Sequence, residues 1–79
     1  MKYDYNDLMI SEALNPNTET VSFVYALYVR RTNDLNWRPY YLAESYDEAG
    51  LEEVKEFAKA WHPNSKVRLG GYVYDAKDL

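Results

Sequence analysis

The chain of 79 residues contains no cysteine, which removes disulfides and thiolate metal sites from consideration. Its single histidine, His62, has no second histidine or cysteine with which to share a metal. No Asp-x-Asp-x-Asp-Gly loop is present either, so metal chemistry has no footing in the sequence. Glycine is scarce, at three residues. The adjacent pair Gly70-Gly71 is not followed by a helical pattern, so it does not read as a phosphate loop. No stretch approaches the roughly 20 apolar residues of a membrane span. The start, Met-Lys-Tyr-Asp-Tyr-Asn-Asp, is polar and acidic with no apolar core segment, so a secretory signal is not expected. Together with the absent cysteine this gives a cytoplasmic expectation. Positive charge is also short, with 9 Lys and Arg against 13 Asp and Glu and a net charge of −4, which argues against generic binding to nucleic acid or anionic membrane.

What the chain has is apolar mass and tyrosine. Hydrophobic residues make up 47%, and nine of the 79 residues are tyrosines. Tyrosine joins a large apolar ring to a polar tip, so this abundance favours a sheet whose rim or face meets solvent or a partner. The length fits one domain over residues 1–79. A domain this small buries about 60% of the surface its unfolded chain exposes, so its core is limited.

The run Val21 to Arg31 carries the clearest pattern. Val21, Phe23, Tyr25, Leu27 and Val29 alternate with Ser22, Val24, Ala26, Tyr28 and Arg30. This period of two, rich in β-branched and aromatic residues, predicts a long strand with one face in a core. Val24 and Tyr28 make the second face apolar too, so that face is either covered or offered to a partner. Residues 4–14 read first as a short helix, with Tyr5, Leu8, Met9 and Ala13 on one side and Asp4, Asn6 and Asp7 available as caps. A first strand is the rival reading. Pro16 ends this segment in a turn. Residues 31–36 form a polar loop, and a second strand is predicted over 38–44, with Tyr40 and Leu42 on one side and Tyr41 and Ala43 on the other. Pro39 confines that strand to an edge or places itself at the strand start.

Ser45, Tyr46, Asp47 and Glu48 have the spacing of a capping box, with Asp47 as the competing N-cap. A helix over 47–61 follows, with Leu51, Val54, Phe57, Ala58 and Trp61 recurring at helical spacing and expected to pack on Phe23, Tyr25 and Leu27. Pro63 stops it. A last strand is predicted over 66–74, with Val67, Leu69, Gly71 and Val73 inward and Arg68, Tyr72 and Tyr74 outward; the glycine pair within it reads as a bulge or a close approach. The expected fold is α+β: a small antiparallel sheet of three to four strands with one amphipathic helix packed on one face, and a second short helix at the N-terminus if residues 4–14 are helical.

No nucleophile–base pair, metal set or cofactor fingerprint is present, and a chain this short has little room for a pocket, so no enzyme and no cofactor are expected. His62 reads as a helix-end residue that caps carbonyls and complements the dipole. Two surfaces stand out. One is acidic, with Glu48, Glu52, Glu53 and Glu56 on the helix; the other is a tyrosine face of Tyr28, Tyr41, Tyr72 and Tyr74. Carboxylates steer a basic partner and tyrosines supply rigid contact area, so these are the expected protein-binding residues. Arg30, Arg31, Trp37 and Arg38 flank the hairpin loop and form the alternative, a contact for single-stranded nucleic acid together with the sheet tyrosines. Homodimerisation through the free sheet face is a further alternative.

The general character of the chain is small, acidic, cysteine-free and tyrosine-rich, with one helix on a sheet. In this it resembles the small accessory proteins of phages and mobile elements, including inhibitors of the anti-CRISPR type. The resemblance implies a protein that occupies a basic, nucleic-acid-handling surface of its partner.

Overall fold

The computed structural model describes residues 5–31 and 33–79; Asp4, one of the expected caps, and Thr32 of the loop lie outside them. The elements are β1 (Tyr5–Leu14), β2 (Phe23–Arg31), β3 (Arg38–Leu42), α1 (Glu48–Trp61), β4 (Lys66–Leu69), β5 (Tyr72–Asp75) and a closing 3-10 turn (Ala76–Asp78). The fold is α+β: one five-stranded sheet in the order β3-β2-β1-β4-β5 carries one helix. The sheet is mixed, because β1 pairs antiparallel with β2 but parallel with β4.

Residues 5–14 form a strand, not a helix, and it is the central one. Leu8 pairs with Val29 and Val67, and Ile10 pairs with Leu27 and Leu69. Partners directly across a ladder share a face, so these six side chains gather on one side of the sheet. Helical spacing had grouped Leu8 with Met9 and Ala13, but in the strand those two lie on the opposite face. Long-range pairing on both edges outweighs a weak local preference.

The core lies between that face and α1. Leu8, Leu27, Val54 and Val67 are its largest fully buried side chains, with Ala58 and Ala76 closing it. Asp47 is the N-cap of α1, and its carboxylate accepts from the Gly50 N–H at 3.0 Å. Gly50 is buried in the first turn, where a methyl group would stand 2.2 Å from the Ser45 backbone oxygen. That oxygen accepts from the Tyr25 N–H, so the absent side chain lets α1 start directly against the β2–β3 ladder.

Two further corrections concern strands. The predicted strand over 66–74 is a hairpin of β4 and β5, and it brings the sheet to five strands rather than three to four. Gly70 and Gly71 are its turn, with φ of 58° and 85°; positive φ at both central residues is what a tight two-residue hairpin turn demands. The turn pairs Leu69 with Tyr72 and Val67 with Tyr74. Tyr72 and Tyr74 therefore share the helix-side face with Val67 and Leu69, and Val73 takes the other face.

In β3 the register shifts opposite Leu27 and Tyr28, so that Tyr41 pairs with Leu27 and Pro39 with Tyr28. Tyr40 is the extra residue of a bulge, and the simple alternation expected for 38–44 breaks there.

The sheet face away from α1 is not the expected tyrosine surface. Of its predicted members only Val24 and Tyr28 lie on it, by their pairing with Ala13 and Met9. Val24 and Ala26 are buried. Tyr28 is half-buried, and its hydroxyl donates to the Glu12 backbone oxygen at 2.7 Å. Asp7 on the same face binds Arg30, which pairs with it in the ladder, and Arg68 at 3.1 Å.

Candidate protein-binding surface

The seam between β3 and α1 holds a cluster of aromatic rings. Tyr41 and Phe57 stack with centroids 4.1 Å apart and planes 8° from parallel. Phe57 in turn stacks on Trp61 at 5.9 Å, one helical turn further along. Tyr40 reaches Phe57 at 5.8 Å and His62 at 5.7 Å. The bulge makes this possible, since without it consecutive residues of β3 would point to opposite faces. The inner half of the cluster is half-buried, whereas Trp61 is 64% and Tyr40 42% exposed. Trp61 is thus a platform residue rather than the core residue that its spacing predicted.

Polar groups fix the cluster. The Tyr41 hydroxyl donates to the Glu53 carboxylate, and that bond holds the phenol pKa up at about 12. The second Glu53 oxygen lies 3.5 Å from the Glu44 N–H as its acceptor. His62 is the C-cap of α1, its backbone N–H bonding the Ala58 oxygen. Burial pushes the His62 imidazole below its ordinary pKa, so the ring is neutral near pH 7 and does not complement the helix dipole as a cation.

Of the expected acidic residues, Glu48, Glu52 and Glu56 are exposed. Glu52 pairs with Lys55 at 3.4 Å and Glu56 with Lys59 at 3.5 Å, which moderates the acidic face. Glu53 serves the Tyr41 bond and is half-buried. The expected tyrosines are dispersed. Tyr41 belongs to the seam, Tyr28 lies on the opposite face of the sheet, and Tyr72 and Tyr74 stand on the far edge strand.

The expected nucleic-acid set is divided as well. Arg30 is held by Asp7 and lies 5.0 Å over the Trp37 ring. Arg38 pairs with Asp34 at 3.2 Å. Arg31 and Arg38 line a groove of about 530 Å³ with Pro39 and Tyr40, next to the aromatic seam. Among the described residues no group of three or more His, Cys, Asp or Glu is placed to hold a metal ion, and no helix is long and apolar enough to cross a membrane.

Sequence reasoning missed Tyr40, Phe57, Trp61 and His62 as one surface. The available signal was the spacing of Phe57 and Trp61 at the end of a short helix that closes at Pro63. Comparison of the chain with protein-family models, curated proteins and solved structures finds no match in any of the three.

Proposed function

We propose that the chain is a non-enzymatic protein-binding domain whose contact surface is the seam of α1 and β3. The observation that carries the reading is the exposure of Trp61 and Tyr40 on a stack already ordered by Phe57 and Tyr41. Aromatic side chains that are rigid before binding lose little entropy on contact, and Trp and Tyr dominate binding hot spots. Glu53 lies at the stack through its bond to Tyr41, and Glu48, Glu52 and Glu56 are exposed elsewhere on the same helix; these carboxylates favour a basic partner surface. Occupation of a nucleic-acid-handling surface, in the manner of a small phage inhibitor, is the use that best suits an aromatic anchor with acidic neighbours.

A pull-down from host lysate with wild type and the double variant Trp61→Ala, Tyr40→Ala tests the reading. A protein retained by wild type and lost by the folded double variant supports it. Equal retention by both removes the seam from the interface. The alternative, single-stranded nucleic acid in the groove of Arg31, Arg38 and Tyr40, has the weaker support because Asp34 already engages Arg38. Oligonucleotide affinity that is sub-micromolar and falls steeply with salt would promote it.

A further inference from the structure

The two outer strands of the sheet are protected very differently. A free strand edge offers unpaired N–H and C=O groups, and proteins blunt such edges with proline, bulges and charge. β3 has all three, in Pro39, the bulge at Tyr40, and Arg38. β5 reads Tyr-Val-Tyr-Asp, with no proline, no bulge and no charge before its last residue. Tyr72 is 69% and Val73 60% exposed. Among the described residues no strand pairs with its outer edge.

The hairpin sets which groups face outward. In a two-residue hairpin the residues flanking the turn bond each other, so Tyr72 and Tyr74 turn their backbone groups toward β4. Ala76 continues the series, its N–H bonding the Ser65 oxygen at 2.8 Å. Alternation then directs the N–H and C=O of Val73 and Asp75 to the free edge.

We propose that a second copy of the chain covers this edge, with β5 pairing antiparallel to β5 of the other copy about a two-fold axis at Val73. The strand is complementary to itself in that register. Val73 bonds its own equivalent, and the Asp75 N–H meets the second copy's Gly71 carbonyl. Tyr72 stands opposite the second copy's Tyr74 and the reverse, so four tyrosines form one row on the helix side. Asp75 faces glycine rather than another acid, so no like charges meet across the axis. Both copies contribute the same patch, as two-fold symmetry requires. The three side chains Tyr72, Val73 and Tyr74 leave roughly 300 Å² per copy to bury, below the ~800 Å² per partner of a standard interface. The dimer is therefore weak, with association expected between micromolar and millimolar concentrations. The dimer buries the edge opposite β3, so the aromatic seam of each copy stays open and the inference stands apart from the function proposed above.

Sedimentation velocity of the full chain from about 10 μM to about 1 mM tests it, a range within which association is expected. Wild type is expected to shift from monomer to dimer. Val73→Lys and Val73→Glu each set like charges on the axis and are expected to remain monomeric, whereas their equimolar mixture regains the dimer. Tyr72→Thr, which keeps strand propensity and removes the ring, is expected to weaken association about tenfold or more without a change of charge. Circular dichroism confirms that each variant is folded. A wild type that stays monomeric throughout, a Val73→Lys variant that still dimerises, or a mixture that fails to associate overturns the proposal.

Discussion

The hydroxyl of Tyr41 donates to the carboxylate of Glu53, tying the edge strand β3 to the middle of α1. The same tyrosine stacks on Phe57, one turn further along the helix. One side chain thus makes an apolar and a polar contact with a single element. The bond requires the proton, and it is the main cause that raises the phenol to about 12.

Stability should therefore fall at alkaline pH. In the unfolded chain the phenol ionises near its ordinary pKa of about 10, while the folded chain keeps its proton to about 12. The stabilisation is fully present below the first value and is lost as pH rises through the second. Tyr28 and Tyr46 are raised as well, so Tyr41→Phe should flatten this alkaline decline without abolishing it. Urea midpoints followed by circular dichroism between about pH 9 and 11.5 check it. An equal decline in wild type and variant would separate Tyr41 from the effect.

At the acid end the relevant group is Asp7. Its bond to Arg30, opposed by burial and aided by Arg68, holds the carboxyl below the usual range. The stabilisation is present above the unfolded value of about 3.9 and is lost as pH falls below it. Asp7→Asn is expected to lower the melting temperature at pH 7 and to lessen the acid-induced loss of stability. A variant with the wild-type acid profile would show that the two arginines contribute nothing through Asp7.

Phe57 and Trp61 should separate stability from binding. Phe57 touches Tyr40, Tyr41 and Trp61, and Phe57→Ala is expected to cost about 3 kcal/mol. Trp61 is mostly exposed, so Trp61→Ala is expected to cost about 1 kcal/mol or less. Once a partner is identified, the same change should weaken its binding by about 2 kcal/mol or more. Chemical denaturation and calorimetric titration of both variants measure the two effects. A Trp61→Ala variant that melts as low as Phe57→Ala would return Trp61 to the core.

Gly50→Ala reverses an ordinary helix preference. Alanine would favour an exposed helical position by about 1 kcal/mol over glycine. Here its methyl group meets the Ser45 backbone oxygen that also receives the Tyr25 N–H. The substitution is expected to destabilise by about 2 kcal/mol or more, read as a shift of the urea midpoint. A neutral or stabilising result would mean that the turn before α1 yields freely.

The helix and β2 were legible in the sequence because their apolar periods are long and unambiguous. The N-cap is Asp47, the competitor of the Ser45 capping box in the sequence, and the edge position of Pro39 followed from local chemistry that tertiary context does not override. The hairpin of β4 and β5 escaped because Val67, Leu69, Gly71 and Val73 continue one alternation straight through the turn. Nothing in that pattern separates a nine-residue strand from two strands of four, and only the positive φ angles at Gly70 and Gly71 do so. The two cases place Tyr72 and Tyr74 on opposite faces. One unrecognised turn thus misplaced half of the expected tyrosine surface. The aromatic seam escaped for a related reason, since a bulge at Tyr40 shifts a register that composition does not encode.

The position of β1 also bears on the order in which the chain can fold. Its pairing with β2 needs only the hairpin 5–31, and β3 adds to that as a meander. Its other edge waits for β4; Asp7 and Arg68, which meet there, are 61 positions apart. Contacts of such separation close slowly, because the intervening loop must lose its entropy first. During synthesis β1 emerges early and its second edge stays uncovered until residues 66–69 leave the ribosome. For that interval the central strand of the finished sheet is an edge strand, and β4, Lys66–Leu69, is the segment that closes it.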